Sequence, residues 1–419
     1  MRKIFFHTFL SSTFGLSKII FYTGLVLLIL PTACSNAVRK PFSNYVVLVS
    51  FDAFRWDYPA IYKTPNLDEM ALEGARAGRM IPSFPTKTFP NHYAIATGLY
   101  PDHNGLVENT FFVPELNKMY RMSDRSAVEN PAFYLGEPIW ITAMKNGMKT
   151  ASFYWVGSEA PIMGMHPTYW KKYDGTVPFE ARIDTVVKWL SYPESKRPEF
   201  VTLYFEEPDG VSHDFGPVSN QTETTVNRLD SLLGVLRNKL AKLPYGKKIN
   251  LIVVSDHGMG QISPDRYIDL KKVVPARMIK TITGGNPFYM IEPNGNSRDS
   301  ILYLLNSVKG VKAWSKSDVP DYLHYGTSDR IKDVVVVADS SWSIGTFPYS
   351  SAFTGGAHGY VNSDSDMDAI FYASGPAIKS NFTFTELNNV DVYNLICRIL
   401  KITPAKNDGD PENIESILK

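Results

Sequence analysis

Cysteine is nearly missing: the 419 residues include two, Cys34 and Cys397. A scaffold framed by disulfides is therefore excluded, since such frameworks need several bridges in a short chain. An excess of charge of one sign is also missing, with 43 Lys and Arg against 42 Asp and Glu. A protein that coats nucleic acid carries a basic footprint, so no stable nucleic-acid partner is expected. The N-terminal apolar run, Ile19 to Leu30, is too short to span a bilayer, which takes about 20 residues. There is no internal repeat and no low-complexity linker. What is present is 44% apolar composition, enough to build one large core.

The N-terminus reads as an export signal rather than as part of the fold. Met1-Arg2-Lys3 supplies positive charge, and the apolar run ends in Leu30-Pro31-Thr32-Ala33-Cys34. A small residue directly before Cys resembles a bacterial lipoprotein processing site. On that reading residues 1–33 are a signal peptide, Cys34 is lipidated and residues 34–43 are a tether. The chain is then exported, as a periplasmic or outer-membrane lipoprotein held to the membrane at Cys34. Pro31 departs from the usual Leu-rich pattern, so ordinary cleavage near Ala33 or Ala37 is the alternative. Cys397 lies in an amphipathic helical pattern and reads as a core thiol.

The segment Pro85-Thr86-Lys87-Thr88-Phe89-Pro90-Asn91-His92-Tyr93 places a hydroxyl, Thr88, at a possible helix start. A helix N-terminus attracts anions, so the threonine can be poised against a phosphate. Its oxygen is a weak nucleophile without a base or a metal to take its proton. Four distant places can supply that activation. Apolar runs that read as buried strands end at Asp52, at Glu206-Glu207-Pro208-Asp209 with His213 beyond, and at Asp256-His257. His358 sits in a Gly-rich loop, Gly355-Gly356-Ala357-His358-Gly359. Catalytic groups collect at the C-terminal edge of parallel strands. Asp and His side chains with Thr88 form a donor set suited to two zinc-type sites. Two cations roughly 4 Å apart can clamp an in-line phosphoryl transfer.

The order Asp52, Thr88, Asp209/His213, Asp256/His257, His358 resembles the alkaline-phosphatase superfamily. The strings Ser50-Phe51-Asp52-Ala53-Phe54-Arg55, Pro85-Thr86-Lys87-Thr88-Phe89-Pro90-Asn91-His92, Glu207-Pro208-Asp209, Ser255-Asp256-His257-Gly258-Met259 and Gly356-Ala357-His358-Gly359 resemble its nucleotide pyrophosphatase/phosphodiesterase branch. That resemblance implies two zinc ions, one held by Asp209, His213 and His358, the other by Asp52, Asp256, His257 and Thr88. It implies a phospho-threonine intermediate on Thr88 and a phosphate-oxygen donor in Asn109. It also implies that Phe89 and Tyr204 sandwich a nucleotide base.

A missing cation narrows the substrate. Monoesterases of the superfamily carry basic side chains for the extra phosphate charge, whereas Ser152-Phe153-Tyr154-Trp155-Val156-Gly157-Ser158-Glu159 has none. The expected substrate is a nucleotide diester or pyrophosphate, with a nucleoside monophosphate released. The rivals are a lysophospholipid or glycerophosphocholine head-group diesterase and a non-catalytic zinc-stabilised surface binding protein.

Strands alternating with helical patterns predict an α/β fold, with a mostly parallel sheet flanked by helices on both faces. Residues 44–410 read as one catalytic domain, with a small α+β insertion at about residues 278–340, and a monomer is expected. Residues from Thr110 to about Trp170 read as loops with at most two helices.

Overall fold

Strand β1 (Tyr45–Asp52) is buried along its whole length. Successive side chains of a strand point to opposite faces. Val46 and Leu48 accordingly enter one core, and Val47, Val49 and Phe51 enter another. Such two-sided burial requires cover on both faces, and helices supply it.

The computed structural model describes residues 44–346 and 354–419. The expected signal peptide, the tether and Cys34 lie outside these residues. The described residues belong to one compact unit.

Eight strands form the central sheet. After β1 come β2 (Ala75–Ile81), β3 (Thr150–Phe153), β4 (Tyr169–Lys171), β5 (Phe200–Pro208), β6 (Ile249–Val254), β7 (Phe371–Ser374) and β8 (Phe382–Asn388). Their order across the sheet is β8-β2-β7-β6-β1-β5-β3-β4. β1 pairs in parallel with β5 and β6, and β7 alone runs antiparallel to its neighbours β2 and β6. One face is covered by α1 (Pro65–Glu73), α3 (Phe179–Leu190) and α5 (Asn220–Ala241) through Leu67, Met70, Val186, Trp189, Leu229 and Leu233. The other face carries α2 (Thr88–Thr97) and α6 (Asp391–Leu400) through Tyr93, Ile95, Tyr393 and Ile396. Cys397 is a free, buried thiol in that second layer.

The segment from Thr110 to Trp170 departs from its expectation. It holds a hairpin (Thr110–Val113 with Lys118–Arg121), and it contributes β3 and β4 to the edge of the main sheet. These edge strands are four and three residues long. An alternating pattern does not emerge over so short a run. Residues 279–338 build a separate four-stranded antiparallel sheet of Ile279–Gly285, Phe288–Pro293, Val334–Ala338 and Val311–Ser315, packed against the helix Arg298–Asn306.

Candidate active site

β1, β5 and β6 are adjacent and parallel, so their C-terminal ends open on one edge. Asp52 is the last residue of β1, and the short α4 (Asp209–Phe215) starts directly after β5. Asp256 and His257 follow β6. Gly258 is required here, because a Cβ at this position would lie 2.1 Å from the Asp366 carbonyl oxygen. α2 begins at Thr88, with Pro90 in its first turn, where the missing N–H costs nothing. The fourth group is docked by the nucleophile segment itself. The Gly359 N–H donates to Thr86 Oγ1 at 2.9 Å, and His358 Nδ1 donates to the Thr86 carbonyl at 2.8 Å.

These paths bring Asp52, Thr88, Asp209, His213, Asp256, His257 and His358 into one cluster. His213 Nε2 and His358 Nε2 stand 3.4 and 3.6 Å from Asp209 Oδ1. His257 Nε2 stands 3.0 Å from Asp256 Oδ2, 3.6 Å from Asp52 Oδ1 and 3.2 Å from Thr88 Oγ1. The His257 and His358 rings stack at 3.7 Å. Two overlapping triads offer one donor each within 4.8 Å of one another: Asp209, His257 and His358, and Asp52, Asp256 and His257.

The cluster fits divalent cations. Each histidine commits Nδ1 to a backbone carbonyl: His213 to Gly356, His257 to Gly258 and His358 to Thr86. That fixes the tautomer and leaves Nε2 as a lone pair directed into the cluster. Asp52 Oδ1, Asp209 Oδ1 and Asp256 Oδ2 are buried without a hydrogen-bond partner. A buried carboxylate oxygen left unpaired is costly, and a cation removes that cost. Electrostatics agree. Burial, with the charges of Asp256 and Asp209, pushes the Asp52 carboxyl well above the usual range. Burial pushes His358 far down, so it stays neutral, the form that ligates metal.

Asn109 Oδ1 accepts the Phe89 N–H at 3.0 Å, which ties this amide to the first turn of α2 and leaves its NH2 for a ligand. The Tyr204 hydroxyl donates to Asp52 Oδ2 at 2.5 Å. Its polar end is thereby committed to the metal half, while its ring faces a pocket of about 240 Å³. Thr88, Phe89, Arg125, Trp155, Tyr173 and Glu206 share in lining that pocket.

Several of these groups carried no assignment from sequence. Trp155, Arg125 and Glu159 lie in the segment read as loops, and Tyr173 lies just beyond it. Both glutamates of the pocket are paired: Arg125 reaches Glu159, and the fully buried Arg182 holds Glu206, with Nη2 to Oε1 at 2.7 Å. His92 stood inside the nucleophile segment without a role. Its position four residues beyond Thr88 was the available signal, because that spacing returns to the same helix face.

The comparisons with known proteins follow the same lines. The family model described as type I phosphodiesterase / nucleotide pyrophosphatase matches residues 46–361. The venom phosphodiesterase CdcPDE of Crotalus durissus collilineatus is 38% identical over 402 residues, covering 92% of this chain and 48% of the relative. Human ectonucleotide pyrophosphatase/phosphodiesterase family member 1 is 36% identical over 387 residues, covering 89% of this chain and 42% of the relative. The chain thus spans about half the length of the curated relatives it matches. Murine ectonucleotide pyrophosphatase/phosphodiesterase 5, solved as an inactive threonine-to-alanine variant in complex with AMP, superposes with a TM-score of 0.85 at 33% identity, over 90% of this chain and 100% of that one. The matched region holds the strand-end acids, the Thr88 segment and the Gly-flanked histidine, and on this evidence the chain belongs to the type I phosphodiesterase / nucleotide pyrophosphatase family.

Proposed function

We propose that the protein hydrolyses phosphodiester or pyrophosphate bonds of nucleotides and releases a nucleoside monophosphate. One observation carries this: Thr88 Oγ1 opens α2 beside three unpaired buried carboxylate oxygens, at the floor of an aromatic pocket. Asp209, His213 and His358 would hold one zinc ion, and Asp52, Asp256, His257 and Thr88 the other. Bound there, the two ions supply Lewis acidity toward phosphate oxygens and lower the pKa of an alcohol.

The chain's own groups do the rest. Thr88 Oγ attacks phosphorus, the bond to the leaving oxygen breaks, and the leaving group departs with a proton. Water then cleaves the phospho-threonine and restores Thr88. The Asn109 amide donates to a non-bridging oxygen as charge builds there. Phe89 and Tyr204 flank the base, and Tyr173 adds a third ring to the same wall. Stacking on aromatic faces suits any base.

A head-group diesterase would instead need unpaired negative charge or an open aromatic cage for a quaternary amine. Here Glu159 and Glu206 each face an arginine, so neither glutamate is free to pair with a quaternary amine. The test compares rates on thymidine 5′-monophosphate p-nitrophenyl ester, p-nitrophenyl phosphocholine and p-nitrophenyl phosphate. The nucleotide ester should lead by at least about tenfold. A lead for the choline ester or the monoester overturns the reading, and no turnover of any ester favours the non-catalytic binding protein. Anchoring at Cys34 belongs to the same proposal; a Cys34→Ser chain should lose palmitate labelling and leave the membrane fraction.

A further inference from the structure

His92 is fully buried behind the site, touches no solvent and has no place in the chemistry just described. Its ring nevertheless meets three site-bearing elements. Nδ1 lies 3.0 Å from the Thr88 carbonyl oxygen and 3.3 Å from Asp256 Oδ2. Both neighbours only accept, so Nδ1 carries the proton. Nε2 of the neutral ring is then an acceptor, and the Ser50 hydroxyl donates to it at 2.9 Å. Ser50 lies on β1, two residues before Asp52. The residue is pinned from the pocket side as well. Trp155 Nε1 donates to the His92 carbonyl at 2.9 Å, and the Tyr204 ring meets the imidazole edge-on at 5.0 Å.

We propose that His92 is a positioning residue that registers the nucleophile Thr88 against Asp256, and that Ser50 fixes the tautomer in which it does so. The argument is geometric. Thr88 is the first residue of α2, and its carbonyl accepts from the His92 N–H, which also approaches Asp256 Oδ2 at 3.3 Å without a hydrogen bond to it. Misplacing a reacting group by about 1 Å can cost on the order of a hundredfold in rate. Partners outside the ligand set typically contribute about 10–100-fold in metal affinity or activity. The inference rests on Thr88 being the nucleophile.

The test uses the full chain and two amides that divide the imidazole's roles. In His92→Asn the amide nitrogen falls near Nδ1 and keeps the N–H toward Thr88 and Asp256. In His92→Gln the amide falls near Nε2 and keeps only the Ser50 contact. On the thymidine ester, His92→Gln should lose on the order of a hundredfold in kcat, with KM within about threefold. His92→Asn should stay within about tenfold of wild type. Zinc retained against a chelator, measured without substrate, should fall in His92→Gln at least threefold more than in His92→Asn. Ser50→Ala should move both readouts in the His92→Gln direction. Equal losses in the two amides, a change confined to KM, or wild-type behaviour in His92→Gln overturns the proposal. Thr88→Ala is the control: should it retain activity, the nucleophile assignment fails, and that failure is distinct from failure of the His92 inference.

Discussion

The metal half and the pocket half of the site are built by opposite means. In the metal half, Asp52, Asp256, His257 and His358 sit at strand ends or on a loop docked by Thr86, each at most 5% exposed. Their unmet bonding capacity points inward. In the pocket half, Tyr173 is 39% exposed, Met122 is 41% exposed, and Glu159 and Glu206 are each paired with an arginine. Most of the chemistry is gathered at strand ends of the sheet, while part of the recognition wall, Trp155 and Tyr173 among it, comes from connecting segments, where sequence commonly varies. Tyr204 bridges the halves, with its hydroxyl on Asp52 and its ring in the pocket wall.

The severest way to break this comparison is Thr88→Ala. Turnover of the nucleotide ester should fall by at least about a thousandfold, while bound zinc and AMP affinity change little. Loss of zinc in step with activity would show that the threonine's main contribution is as a ligand. A smaller effect is expected from Glu206→Leu, which strips the partner from the fully buried Arg182 guanidinium. Leaving a buried charge without one of its partners costs about 1–3 kcal/mol, and Arg182 keeps the Val177 and Tyr204 carbonyls. Thermal unfolding should therefore shift down by several degrees. If stability holds while nucleotide KM rises, Glu206 acts on substrate rather than on the fold.

The same contrast explains what the sequence makes visible. Asp52, Asp209, Asp256 and His257 each close a local apolar run, so a strand and its terminal acid are read together. α3 (Phe179–Leu190) is legible in the same way, because its apolar positions recur at helical spacing over twelve residues. The pocket pairs carry no such signal. Arg125 meets Glu159, and Arg182 meets Glu206, across dozens of residues and different elements. β3 and β4, which carry the pocket segment, are too short for a period to register. His92 was visible as a residue, and only the imidazole's three neighbours reveal what it holds.

Glu108 offers a pH test on the buried side. Burial raises its carboxyl from 4.5 to about 7, against the opposing charge of Lys87. The folded state therefore binds a proton more tightly than the unfolded chain. The associated stability is fully present below about pH 4.5 and is lost as pH rises through 7. Glu108→Gln should remove this slope and be more stable than wild type at pH 8, by about 2 kcal/mol, with no gain near pH 4.5. Denaturant titrations at the two pH values check the sign. A variant equally destabilised at both would mean that the contacts with the Asn109 and Thr110 N–H groups, rather than the charge, dominate at Glu108.

The mildest substitution discriminates most sharply between the halves. Phe89 is covalently next to Thr88, the proposed nucleophile, and lines the pocket. If the halves are energetically separate, Phe89→Ala should raise KM for the thymidine ester by about tenfold, the value of one stacking contact, and leave kcat within about twofold. Tyr173→Ala should behave in the same way from the opposite segment, and the two effects should add in free energy if each ring contacts the base on its own. Bis(p-nitrophenyl) phosphate has no base, and on it both variants should match wild type. A fall in kcat on that ester for Phe89→Ala alone would mean that the ring also steadies the first turn of α2, through the same residue whose N–H holds Asn109. Recognition and chemistry would then share Phe89 as they already share Tyr204.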